Sequence, residues 1–158
     1  MTRNCEVSVG ERPAHRILGP LTQTDIVRFA GAGGDFNPLH HDPAAAAAAG
    51  FERPIAMGQL TAGLLAGWLT DWCGVENLRS YEVRFTAPFM IGDTVELSGV
   101  VVSVEPLEDD YGLALVEIAA TAAGRELLTG RATFVTARRA AESPRTPRAE
   151  APIGRSGR

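Results

Sequence analysis

The chain has 158 residues, 45% of them hydrophobic, with 19 acidic and 15 basic side chains and a net charge of −4. These values fit one globular domain able to build its own core. They give no basic excess for nucleic acid or an anionic membrane surface. All fifteen basic residues are arginine, so a phosphate could be held only by guanidinium groups or backbone N–H.

Two cysteines, Cys5 and Cys73, match no metal or redox spacing. Two idle thiols are the simpler reading, with a single disulfide as the alternative. Residues 1–13 lack an apolar signal core. The apolar stretch from Pro54 to Cys73 is interrupted by Gln59, Thr61, Thr70, Asp71 and several glycines. It reads as a buried helix, not a membrane span. A cytoplasmic location is the resulting expectation.

In chain order, residues 1–20 form an irregular or strand-like lead-in. Thr22 with Asp25 predicts a capped helix start, and Ile26, Val27, Phe29 and Ala30 give that helix an apolar face. The helix should end in Gly31–Gly34. A loop follows from Asp35 to His41, broken by Asn37-Pro38. Asp42 then caps a second helix with Pro43 in its first position and six alanines behind it, closed by Gly50. The main helix is predicted from about Met57 to Cys73. Leu60, Leu64, Trp68 and Trp72 recur at i, i+4, widened by Leu65 and Leu69. Apolar character nearly all round predicts burial on most sides. Gly58, Gly63 and Gly67 would each cost about 1 kcal/mol against Ala, which predicts close approach of other backbone there. The tryptophans read as helix core more readily than as a ligand wall.

After Gly74 the pattern turns to strands over 81–90, 94–105, 111–122 and 126–136, in antiparallel meander order. Helices first, then a meander, with one long helix needing a sheet to wrap it, predicts an α+β hot-dog fold: an antiparallel curled sheet around a long central helix. The domain is placed at 1–136. Residues 137–158, rich in Arg and Pro and without apolar periodicity, are expected to be a disordered tail.

The segment from Phe29 to Asp42 carries the chemistry. It sets a carboxylate (Asp35), a carboxamide (Asn37) and an imidazole (His40) within six residues, beside Gly33 and Gly34. A carboxylate can take a proton from water, and an imidazole can orient the water or relay a proton. The same residues also make an ordinary polar surface loop. On spacing alone the two readings stand even. A phosphate-loop reading fails, because no strand precedes the glycines and no Gly-Lys-Ser/Thr follows. His41 and His15 show no partner.

The run Gly34-Asp35-Phe36-Asn37-Pro38-Leu39-His40 with Asp42-Pro43 resembles the hydratase signature of the MaoC-like family, which includes R-specific enoyl-CoA hydratases and hydroxyacyl-thioester dehydratases. The resemblance continues through Gly50-Phe51-Glu52-Arg53-Pro54-Ile55-Ala56, Gly58, Leu60, Val83-Arg84-Phe85 and Gly92-Asp93-Thr94-Val95. It implies Asp35 and His40 as the catalytic pair holding a water, with Asn37 supporting them. It also implies that the backbone N–H of Gly58 binds the thioester carbonyl. A helix N-terminus suits enolate charge there, and one such donor is typically worth about 3–4 kcal/mol of barrier.

The resemblance further implies a CoA or acyl-carrier thioester as substrate and a homodimer or a heterodimer with another hot-dog subunit. No metal or redox cofactor is indicated, because the sequence has no ligand cluster and no dinucleotide fingerprint. Met57, Gln59 and Arg84 are candidate substrate contacts. Met57 stands where many relatives have His, and Ala66 where some have Ser. Arg53, Arg79 and Arg84 are candidate phosphate contacts, each weighed against an ordinary ion-pair role. A hot-dog thioesterase is disfavoured, because residues 57–70 contain no Asp, Glu, His or Ser. A non-catalytic partner subunit and a repurposed family member in natural-product biosynthesis are the remaining alternatives.

Overall fold

Local hydrogen bonds start the first two helices where the sequence places their caps. The Asp25 N–H donates to Thr22 Oγ1 at 3.2 Å and the Thr22 N–H to the Asp25 carboxylate at 2.9 Å. This reciprocal box satisfies two orphan donors and opens helix α1, Gln23–Gly33. The Thr22 hydroxyl also holds the Asp25 carboxyl below its ordinary pKa. Gly34 ends α1 in the left-handed region, at φ 69°. Asp42 Oδ1 accepts from Ala44 N–H and Ala45 N–H and opens helix α2, Pro43–Ala48. The long helix α3 spans Gly58–Cys73. The computed structural model describes residues 5–137, so the predicted tail lies outside the described residues except for its first residue. Ala137 ends the last strand, and its N–H donates to the Cys5 carbonyl at 2.9 Å.

The strands are β1 (Arg16–Leu18), β2 (Leu78–Phe85), β3 (Val95–Pro106), β4 (Tyr111–Ala122) and β5 (Arg125–Ala137). They form one sheet in the order β1-β3-β4-β5-β2, with every neighbouring pair antiparallel. Alternation turns Val95, Leu97 and Val101 of β3, Val116 and Ile118 of β4, and Leu128 and Phe134 of β5 inward. They share one core with Leu65, Leu69 and Cys73 of α3, all three fully buried. Truncating Leu65 or Leu69 to alanine would cost about 2–5 kcal/mol.

Trp72 meets Phe134 edge to face at 5.1 Å, and Trp68 Nε1 donates to the Ala14 carbonyl at 2.9 Å. Both tryptophans are therefore core, as predicted. Gly99 makes room for one of them: a β-carbon there would stand 3.2 Å from the Trp68 ring. Burial pushes the Cys73 thiol up to about 11 and the Tyr81 phenol up to about 12. The Tyr81 hydroxyl donates to the Ala62 carbonyl of α3 at 2.8 Å. Cys5 and Cys73 are both thiols. Among the described residues no helix is long and apolar enough to cross a membrane. The antiparallel sheet closing on one helix is the predicted hot-dog arrangement.

Helix α3 is buried on most sides, as predicted, and leaves one open stripe. Two other expectations fail, the close approach of backbone to its glycines and the bounds of the first long strand. Gln59, Gly63, Gly67 and Asp71 are exposed at i, i+4 spacing. Among the described residues no atom lies within 4 Å of a β-carbon built on Gly63 or Gly67. The sheet curls only round the side carrying Thr61, Leu65, Trp68 and Leu69, so no backbone approaches the glycines. The first long strand is also displaced, running over 78–85 where 81–90 was expected. Pro88 has no N–H for a ladder, and the N–H groups of Thr86 and Ala87 both turn to the Leu127 carbonyl. Met90 instead forms an isolated antiparallel bridge with Ile55.

Candidate active site

The loop between α1 and α2 builds the site from short-range bonds. Asn37 Oδ1 accepts from the Leu39 N–H at 3.1 Å and caps the 3-10 turn Pro38–His40. The Asn37 N–H donates to Asp35 Oδ1 at 3.3 Å, which leaves Oδ2 of Asp35 to face His40 Nε2 at 3.5 Å. Asn37 thus shapes the loop between Asp35 and His40 through its side chain and its own N–H. From α1, Gln23 Nε2 donates to the His40 carbonyl at 3.0 Å and holds the far end of the turn.

His40 is buried, with a side chain 9% exposed against 47% for Asp35. Its Nδ1 lies 2.7 Å from the Ile55 carbonyl. A carbonyl only accepts, so Nδ1 carries the proton, and in the neutral ring Nε2 keeps its lone pair. Nε2 and the Asp35 carboxylate are then two acceptors facing one gap. A water donating one hydrogen to each would satisfy both.

The segment holding Ile55 also starts the central helix. The Ile55 N–H donates to the Leu39 carbonyl, Ala56 N–H to Phe89, and Ile91 N–H to Pro54. Residues 54–56 are thus stitched to the histidine loop on one edge and to the 89–91 segment on the other. Three residues after Ile55 comes Gly58, the first residue of α3. The first-turn N–H groups of a helix have no intrahelical acceptor, and Met57 supplies no side-chain cap. A β-carbon on Gly58 would fall 2.9 Å from the Phe85 ring. Glycine here makes room for that half-exposed aromatic, which lies over the helix start.

The remaining predicted residues separate. Met57 is buried at 2% exposure, while Gln59 is exposed on the uncovered face of α3. Arg84 is exposed on β2 and, by strand alternation, projects opposite to Phe85. It lines a hollow of about 630 Å³ with Arg12 and Arg131 on the outer face of the sheet. Arg53 pairs with Asp93 at 3.1 Å, and Arg79 donates to the carbonyls of Glu76 and Leu78. His41 is exposed. His15, which showed no partner in the sequence, contacts Glu96 at 2.6 Å. Among the described residues no group of three or more His, Cys, Asp or Glu could hold a metal. Ile55, Gln23 and Phe85 were not predicted to serve the site. Ile55 acts through its backbone and leaves no side-chain signal.

A small hot-dog domain with this element order is the architecture of the hydratases and dehydratases that act on acyl thioesters. The MaoC like domain family model matches residues 5–121, and the chain belongs to this family. The (R)-specific enoyl-CoA hydratase of Aeromonas caviae is 36% identical over 129 residues, covering 80% of this chain and 92% of that protein. Its solved structure superimposes with a TM-score of 0.70, covering 82% of this chain and 96% of that one. The 3-hydroxyacyl-thioester dehydratase Z of Mycobacterium tuberculosis (strain ATCC 25618 / H37Rv) is 33% identical over 106 residues, 63% of this chain and 70% of that protein. A chain of the ChsH1-ChsH2 complex from M. tuberculosis has a TM-score of 0.71 at 28% identity, covering 83% of this chain and 98% of that one.

Proposed function

We propose that this protein adds water reversibly across the double bond of 2-enoyl thioesters, giving 3-hydroxyacyl thioesters. The observation that carries this reading is the pair of acceptors, Asp35 Oδ2 and His40 Nε2, 3.5 Å apart, with Nδ1 fixed by the Ile55 carbonyl. The Gly58 N–H holds the thioester oxygen. Asp35 takes one proton from the water as its oxygen bonds to C3, and the π electrons move to the carbonyl oxygen as an enolate. The helix start stabilises that charge. The pair then returns a proton to C2, so one water has added and both side chains regain their starting state. Dehydration reverses the same steps, and the reading assigns no cofactor.

The exposed face of α3 supports assembly with a second hot-dog subunit. Gln59, Gly63 and Gly67 of α3 are exposed, and so are the aromatics Phe36 and Phe85, surface that a second copy would cover. The ChsH1-ChsH2 similarity supports a different hot-dog chain as the alternative partner. The test of the reaction is incubation with crotonyl-CoA and longer trans-2-enoyl-CoAs in water enriched in oxygen-18. The expected product is a 3-hydroxyacyl-CoA with one heavy oxygen at C3. Recovery of free CoA and unsaturated acid instead would identify a thioesterase.

A further inference from the structure

Two stretches of the family resemblance, around Arg53 and around Asp93, take no part in the chemistry above. They meet in space. Asp93, with a side chain 14% exposed, accepts from Arg53 Nη2 at 3.1 Å through Oδ1 and from Arg125 Nη2 at 2.9 Å through Oδ2. The Met90 N–H adds a contact to Oδ2 at 3.3 Å. Arg53 also donates from Nη1 to the Ile91 carbonyl at 2.6 Å. Gly92, at φ 87°, makes room for this guanidinium, since a β-carbon there would stand 3.0 Å from Arg53 Nη1. Arg125 Nε is buried with no hydrogen-bond partner among the described residues, so that side chain is held for Asp93 at some cost to its own bonding.

We propose that Asp93 and Arg53 form a positioning clamp that aims His40 and the Gly58 N–H together, an inference that rests on the hydratase reading. Arg53 directly precedes the 54–56 segment. Its guanidinium bridges the Asp93 carboxylate and the Ile91 carbonyl, and so fixes that segment against the 89–91 turn. The Ile55 carbonyl then stands where it accepts the hydrogen bond from His40 Nδ1–H, and α3 begins three residues on. One ion pair thereby sets the registration of the proton-handling ring against the oxyanion donor. Displacing a reacting group by about 1 Å costs roughly a hundredfold in rate. Lysine would replace Arg53 only in part, because a single ammonium lacks the planar fork that serves both acceptors.

The test uses the full chain with Asp93→Asn, Asp93→Ala, Arg53→Met and Arg53→Lys. Nitrogen-15 NMR of the histidine rings, with the His40 signals assigned by His40→Ala, reads the tautomer without needing turnover. The wild type should show His40 with Nδ1 protonated and Nε2 bare. Arg53→Met and Asp93→Ala should move both signals toward the averaged pattern of a free imidazole and lower kcat roughly ten- to a hundredfold, with KM little changed. Arg53→Lys should fall between. If Asp93→Ala does not fold, Asp93→Asn and the Arg53 variants carry the test. Folded variants with wild-type ring signals and kcat, and only a lower Tm, would overturn the clamp. Loss of the hydratase reading shows separately, as a wild type without hydration activity, and the ring signals still decide the clamp.

Discussion

His40 Nδ1 donates to the Ile55 carbonyl over 2.7 Å, and that single bond decides which ring nitrogen is available to water. Removing the ring leaves a carbonyl in a part-buried position without its donor, at a cost of about 1–3 kcal/mol. Asp35 is half exposed and makes no comparable buried contact. Chemical denaturation should therefore show His40→Ala destabilised by that amount and Asp35→Asn unchanged within about 0.5 kcal/mol, while both lose activity. Equal stability of the two variants would mean that the Ile55 bond does not hold.

Gly58→Ala isolates the packing of Phe85 on the helix start. Alanine gains about 1 kcal/mol of helix propensity, but its β-carbon meets the Phe85 ring at 2.9 Å. The ring is half exposed and can swing aside, so the net change in stability should stay within about 1 kcal/mol. The rate should drop, up to roughly a hundredfold, because the donor or the ring is displaced. Adding Phe85→Ala relieves the contact. Steady-state kinetics of the double variant should recover part of kcat if the clash is the cause.

The open face of α3 predicts an assembly that Gly63→Glu disrupts. In an isolated subunit this change is harmless, since nothing among the described residues lies within 4 Å of the new β-carbon and helix propensity improves. Sedimentation velocity should show the wild type larger than one chain and the variant shifted toward the monomer with reduced turnover. An unchanged sedimentation coefficient and full activity would leave that face outside any interface.

Two groups shielded from water, Cys73 and the partly buried Tyr81, make stability depend on alkaline pH. Burial raises Cys73 from 9.0 to about 11 and Tyr81 from 10.0 to about 12. The folded state thus disfavours both anions. Their stabilising effect is complete below the unfolded pKa values and is lost as pH rises through the folded ones. Thermal unfolding should show Tm falling above about pH 9. Cys73→Ala should flatten the earlier part of that fall and Tyr81→Phe the later part. At pH 8 a thiol reagent should leave Cys73 unmodified until the protein is denatured.

Much of this was legible because the signals are local. The Thr22–Asp25 box and the Asp42 cap each act over two or three residues, and Asp35 lies five residues from His40. The central helix was legible from its periodicity. What its sequence could not show is which side the sheet leaves open, because glycine and alanine look alike whether covered or bare. The His40–Ile55 bond uses a backbone acceptor, and the Arg53–Asp93 pair joins residues 40 apart. His15 and Glu96 are separated by 81 positions and meet only because β1 pairs with β3. Pro88 was visible, but its effect in ending β2 early depends on the Leu127 carbonyl across the sheet.

The central claim is most directly tested by following loss of enoyl-thioester absorbance in wild type, Asp35→Asn and His40→Ala across acyl-CoA chain lengths. Wild-type turnover falling by at least roughly a hundredfold in each variant is the predicted result. Turnover that survives both substitutions in folded protein would contradict the assignment of this pair.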